Sequence, residues 1–227
     1  MVRGFVMVRG IAAAALIALS GCADLTTGVA DTLAGFGSSR DATNEGIRTL
    51  ALLGGEVRVR GPEGYCIDQA ASDARRGFAV LAGCALLSDE AVVMPSTDGL
   101  ILVQFGDEGT ASVTDNEEPF AAFLATDLGR SVLSANGDAA NVASVSTVTD
   151  RAGVLARFED ASGPGFAGTS GAQWRGFLDV QGRLTTVSIL SFDRNPLSRG
   201  EGERLLVVSM AELAEANTLS DDVALSN

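Results

Sequence analysis

The chain has 227 residues, enough for one domain with a sizeable core. All 16 of its basic residues are arginine, histidine is absent, and 29 acidic residues bring the net charge to −13. Such a charge repels nucleic-acid phosphate, so no nucleic acid is expected as a partner, and the lack of His and Lys excludes Ser-His-Asp, Cys-His, Schiff-base and Ser-Lys chemistry.

The chain opens MVRGFVMVRGIAAAALIALSGC. Arg3 and Arg9 make a positive n-region, Ile11 to Leu19 is a run of nine apolar residues, and Ser20 and Gly21 are small. Nine helical residues span roughly 14 Å, about half a hydrocarbon core, which predicts a signal h-region and not a membrane span. Met-Val-Arg-Gly recurs at 7–10, which makes Met7 an alternative start. Leu19-Ser20-Gly21-Cys22 resembles the lipobox of bacterial lipoproteins. The resemblance implies removal of a signal peptide, 1–21, and acylation of Cys22. Two or three acyl chains hold a protein on a membrane without a spanning helix. Ala23 follows, not the aspartate that resembles an inner-membrane retention signal, which points to the periplasmic face of the outer membrane. Residues 22–45, rich in Gly, Ser, Thr and Asp, read as a flexible tether.

A single α+β domain is expected over 46–217. Glu56 to Arg60 alternates as a half-buried strand should. Gly77 to Ala82 and Ala91 to Met94 read as short buried strands, and Leu100 to Phe105, the longest apolar run, as a central one. Pro119 suits the first turn of a helix on which Phe120, Phe123, Leu124 and Leu128 form one stripe. Strands are expected at 142–148 and 153–158, then a Gly-rich loop at 162–171. Gln173 to Phe192 is the best hairpin signal, with Gln181-Gly182 as its turn. Ser198 and Glu201 have capping-box spacing, and Leu206, Val207, Met210, Leu213 and Ala214 continue as an apolar helical stripe to about Asn217. Residues 218–227 read as a frayed tail.

This order predicts a largely antiparallel sheet covered by two main helices. The late hairpin QWRGFLDVQGRL with its closing helix resembles the small sandwiches of the PsbP and Mog1 type in element order. GPEGYCID, FAVLAGC and QWRGFLDVQGRL also resemble a set of alphaproteobacterial envelope lipoproteins, a likeness that bears on address and implies no activity.

The cysteines sort by parity. Lipidation takes Cys22, leaving Cys66 and Cys84 in an oxidising compartment, where a structural disulfide is expected. Unpaired thiols, a redox pair and half of a metal site are the alternatives, but the eighteen-residue spacing is not Cys-x-x-Cys and no histidine completes a zinc site. No metal or other cofactor is expected. Acidic pairs at Asp89-Glu90, Asp107-Glu108, Glu117-Glu118 and Asp221-Asp222 read as solvated surface; their functional alternative is acid–base work in glycan hydrolysis. Asp115 to Glu118 has oxygen ligands for calcium without the spacing of a calcium loop, and reads as the lead-in to a helix. Trp174 and Leu178 face one side of their strand, Arg175 and Phe177 the other. Trp174, Arg175 and Phe177 are either an exposed partner-contact edge or packed between helices with Arg175 reaching outward. These features predict a non-catalytic, membrane-anchored envelope lipoprotein that binds or supports an envelope protein. The alternatives are a carboxylate-dependent hydrolase of cell-wall glycans and a carrier of a small hydrophobic ligand.

Overall fold

The computed structural model describes residues 46–88, 94–150, 152–163 and 165–224. The leader, Cys22, the tether, Asp89-Glu90 and the strand expected at Ala91 to Val93 lie outside the described residues; Met94 is irregular, not strand. Strands β1 (Thr49–Leu52) and β2 (Val57–Arg60) form a small antiparallel hairpin. In β2, Val57 and Val59 are buried while Arg58 is exposed, as the alternation requires. The main sheet has seven strands: β3 (Tyr65–Asp73), β4 (Phe78–Gly83), β5 (Gly99–Phe105), β6 (Val142–Asp150), β7 (Gly153–Asp160), β8 (Thr169–Val180) and β9 (Arg183–Phe192). Their order is β3-β4-β5-β9-β8-β7-β6, with every neighbouring pair antiparallel. The α+β class with an antiparallel sheet is therefore as expected. Strand β5 is third in the order, and the middle place belongs to β9.

The turn between β8 and β9 explains its sequence. Gln181 and Gly182 have φ of 48° and 71°, both left-handed, which is the type I′ geometry that matches strand twist. The Gly-rich connection is shorter than expected, because β8 already begins at Thr169 and carries a register shift between Thr169 and Gln173.

Among the described residues there are three main helices, not two, besides a single helical turn at Cys84–Leu87. The single helix expected from Pro119 breaks into α1 (Glu117–Leu124) and α2 (Asp127–Leu133). Thr126 is extended, and its side chain accepts from the Gly129 N–H at 3.1 Å, so it starts a new helix as an N-cap. The break turns Leu128 out, leaving it 67% exposed and not on the core stripe. Gly129 takes the inward place, since a Cβ there would lie 2.1 Å from the Phe123 carbonyl oxygen.

Helix α3 (Arg199–Ala224) opens with the expected capping box: the Ser198 N–H donates to Glu201 Oε2 at 2.8 Å. It continues seven residues past the expected end at Asn217, through most of the expected frayed tail; 225–227 lie outside the described residues. Its buried face is Leu205, Leu206, Ser209, Met210, Leu213, Ala216 and Asn217, while Val207 and Ala214 of the expected stripe are exposed. Two glycines let it approach the sheet. A Cβ on Gly176 would fall 2.3 Å from Met210 Sδ, and one on Gly202 would fall 2.3 to 2.5 Å from three Trp174 ring atoms.

One core fills the space between the sheet, α3 and the β1–β2 hairpin, with Tyr65, Ile101, Trp174, Ile189 and Met210 among its members. On the opposite face, α1 and α2 cover β6, β7 and β8 over Val142, Val154, Phe158 and Phe177. A smaller cluster around Val80, Leu100 and Leu190 continues that second face over β4, β5 and β9.

Candidate functional site

Cys66 and Cys84 form a disulfide, with Cα atoms 4.8 Å apart. Cys66 lies in β3 and Cys84 follows β4, so the bridge ties the edge pair of the sheet near one end. Both cysteines are buried. Gly46 packs on them, and a Cβ there would lie 2.3 Å from Cys66 Sγ. Thiol–disulfide exchange needs access to a sulfur, and this covering favours a staple over a redox centre.

The structure separates Trp174, Arg175 and Phe177 by face, as alternation predicts, but offers no aromatic edge to a partner. Trp174 is 3% exposed beneath Gly202, and Phe177 is 1% exposed with its ring 5.1 Å from that of Phe120. The partner-contact reading is corrected accordingly, because α3 on one face and α1 on the other cover both rings. Arg175 does not reach outward either. Its Nε donates to Ser188 Oγ at 3.0 Å and its guanidinium to the Val132 carbonyl at 3.1 Å, 5.3 Å from the Phe158 ring centroid. Burial lowers its pKa, and the Asp160 carboxylate offsets part of that effect. The arginine ties β8 and β9 to the end of α2.

Two carboxylates that the sequence reading passed over are held by backbone N–H groups. Asp179 accepts from Ser112, Val113 and Thr114 at 2.8 to 2.9 Å, pinning the segment before α1 to β8. Asp160 accepts from Ala135 and Ser162. Burial pushes both carboxyls up, but the hydrogen bonds outweigh it, and both pKa values end below the ordinary 3.8. Asp160 lines a shallow cavity of about 160 Å³ with Thr169, Gln173 and Ser191. Being held ionised, it is poorly placed to act as a general acid there. Asp107 and Glu108 are exposed, and Glu117 and Glu118 occupy the first turn of α1, where Glu118 accepts from Thr149 Oγ1 at 2.7 Å. Among the described residues, no three carboxylates or cysteines converge as metal ligands.

The most distinctive chemistry lies beside α3. Register places Ser146, Arg157 and Trp174 in one row across β6, β7 and β8, with Val148, Leu155 and Gly176 in the next. Helix α3 lies along β8 and β9, so β6 and β7 project beyond it as a ledge. Between ledge and helix is a recess of about 20 Å³, bounded by Arg157, Trp174, Leu155, Arg199, Glu203 and Leu206. Trp174 Nε1 and Arg157 Nε are both buried there without a hydrogen-bond acceptor among the described residues. Leaving such a donor unpaired costs about 1–3 kcal/mol, so each favours an acceptor. The nearest ionic partner of Arg157, Glu159, is 3.7 Å away and half exposed. Sequence reading missed Arg157, Arg199 and Glu203; the alternation of Gly153 to Phe158 puts Arg157 on the face of Leu155, but not under a helix.

The fold is that of an α+β protein with a seven-stranded antiparallel sheet between helices. No protein-family model matches the chain, and no curated protein matches it. Similar solved structures include a point mutant of the protein Mog1, 12% identical, the match covering 76% of this chain and 90% of that one with a TM-score of 0.37. Another is the Ran-binding protein Mog1p of Saccharomyces cerevisiae, 11% identical, covering 74% and 88% with a TM-score of 0.37. The chemistry of the recess follows from its own residues and not from these similarities.

Proposed function

We propose that the chain is an envelope lipoprotein, anchored through acylated Cys22 to the periplasmic face of the outer membrane, whose folded domain serves a non-catalytic binding or supporting role toward an envelope protein. The observation that carries this reading is the Cys66–Cys84 disulfide, since buried disulfides persist in oxidising compartments. It agrees with the compartment that Leu19-Ser20-Gly21-Cys22 implies, and 22–45 supplies a tether between anchor and domain. Among the described residues no helix is long and apolar enough to cross a membrane.

The alternatives find less support. Glycan hydrolysis needs two facing carboxyls, one kept protonated, whereas Asp160 is held ionised by its hydrogen bonds. A carrier of a hydrophobic ligand needs room between sheet and α3, where the approach at Gly176 and Gly202 is already close.

Fractionation of cells expressing the wild type and Cys22→Ala tests the anchor. The wild type should incorporate labelled palmitate and sediment with outer membranes, and the variant should appear in the soluble periplasmic fraction. A variant that stays with membranes, or wild-type protein with free thiols at Cys66 and Cys84, overturns the reading. Because the chain has no lysine, the partner search calls for photoreactive or carboxylate-directed crosslinking.

A further inference from the structure

We propose that the recess between β7, β8 and the first turns of α3 binds a carboxylate carried on a short aliphatic stem, held by the Trp174 indole N–H and the Arg157 guanidinium. The inference is independent of whether Cys22 is acylated.

The recess is lined by donors that lack acceptors. Trp174 is 97% buried by its 3% exposure, its Nε1 can only donate, and no acceptor among the described residues reaches it. Arg157, its direct cross-strand neighbour, presents a second buried N–H with the same deficit. A ligand that brings acceptor oxygens satisfies both. Charge selects among acceptors: two guanidiniums, Arg157 and Arg199, border the recess against one carboxylate, Glu203. Glu159 offsets Arg157 only weakly, at 3.7 Å and 55% exposed. In a chain of net charge −13, this is a local excess of positive charge where an anion is otherwise repelled.

Size and shape narrow the class further. The recess is small, about 20 Å³, and a planar two-oxygen head group matches the guanidinium fork of Arg157. The rest of the ligand must lie at the mouth, where Leu155 and Leu206 give apolar walls and Val148, 52% exposed, leaves apolar surface open. Gly202 fits this arrangement, since only a residue without Cβ lets α3 lie against the indole without displacing it. A free small acid and the C-terminus of a peptide share this chemistry.

Trp174 is the only tryptophan, so the full chain in a maltoside detergent gives one indole 1H–15N cross-peak and one tryptophan emission, both reporting on the recess. Butyrate and N-acetyl-alanyl-valine should each shift that cross-peak saturably, while butyramide, the amidated dipeptide and sodium chloride at matched ionic strength should not. A dipeptide at least about tenfold tighter than butyrate assigns the site to chain termini; the reverse order assigns it to free acids. Arg157→Gln should weaken binding about tenfold or more, corresponding to the loss of one charge-assisted hydrogen bond, and Glu203→Gln should tighten it. If Arg157→Gln loses the native spectrum, Arg199→Gln, on the exposed first turn of α3, carries the same expectation of weaker binding. A shift that does not saturate, equal binding of butyramide, or unchanged affinity in the folded arginine variant overturns the proposal.

Discussion

Asn217→Ala should loosen the β1–β2 hairpin from α3 at a single point. Asn217 Oδ1 accepts from the Arg58 N–H at 2.9 Å, and its Nδ2 donates to the Arg58 carbonyl at 2.8 Å. The side chain thus completes the outer edge of β2 as a neighbouring strand would, and it is 4% exposed. Truncation removes both bonds and a third, from Nδ2 to the Leu213 carbonyl at 2.8 Å. Each net bond is worth about 1 kcal/mol, with more lost where a backbone group stays buried and unpaired. The better helix propensity of alanine returns roughly half a kcal/mol. A net loss of about 2 kcal/mol follows, or about 4–8 °C in Tm for a domain of this size. By contrast, Arg60 of β2 pairs with Glu212 at 2.6 Å and Glu215 at 2.8 Å of α3, and Arg60 and Glu212 are both more than a quarter exposed, so Glu212→Gln should cost under about 1 kcal/mol. Urea unfolding with the disulfide intact measures both, and amide hydrogen exchange at Arg58 localises the effect. A loss below about 0.5 kcal/mol in Asn217→Ala, or an Arg58 amide that exchanges equally fast in both proteins, would refute the reasoning.

Acid stability should depend on Asp179. Its folded pKa lies below the ordinary 3.8, so its contribution is present above that value and is lost as pH falls through the folded pKa. Wild type should therefore lose more stability than Asp179→Asn between pH 6 and pH 3, and a constant gap between the two would contradict this. Tyr65, the only tyrosine, donates to the Thr97 carbonyl and accepts from the Gly99 N–H; burial first, then Asp98, push its pKa up to about 12 despite that N–H bond. Ultraviolet titration of the native protein should show no phenolate at pH 10.5, and stability should fall as pH rises above the unfolded value of about 10. Ionisation with an ordinary midpoint would show that the ring is wet. Reduction of Cys66–Cys84 opens a loop of 18 positions and should cost about 3 kcal/mol in the loop-entropy treatment, seen as a lower urea midpoint with dithiothreitol. An unmoved midpoint would mean that strand pairing alone holds β3 to β4.

Local rules carried the reading where a residue's partner is near in sequence. Gln181-Gly182, the Ser198–Glu201 box and the alternation of β2 are set by backbone dihedrals and by neighbours a few residues away. The Cys66–Cys84 pair follows from parity only when Cys22 is set aside as the lipobox cysteine. Strands β1 and β3 went unseen because TLAL has no alternation and YCIDQAASD turns polar halfway, its order coming from pairing with β4. The apolar stripe of α3 was misplaced toward Val207 and Ala214, since hydrophobicity does not say that Ser209 and Asn217 face inward; their bonds to Leu205 and to Arg58, the latter 159 positions away, decide that.

Composition, charge and the Gln181-Gly182 turn belong to the sequence because they need only counting and short-range geometry. The recess belongs to the tertiary structure. Arg157, Trp174 and Glu203 come from two strands and a helix, and only the register of β7 on β8 and the closeness of Gly202 to the indole bring them together. The same closeness settled what sequence left open for Trp174. A tryptophan on an alternating strand can face solvent or core, and a glycine 28 positions later lets a helix cover it.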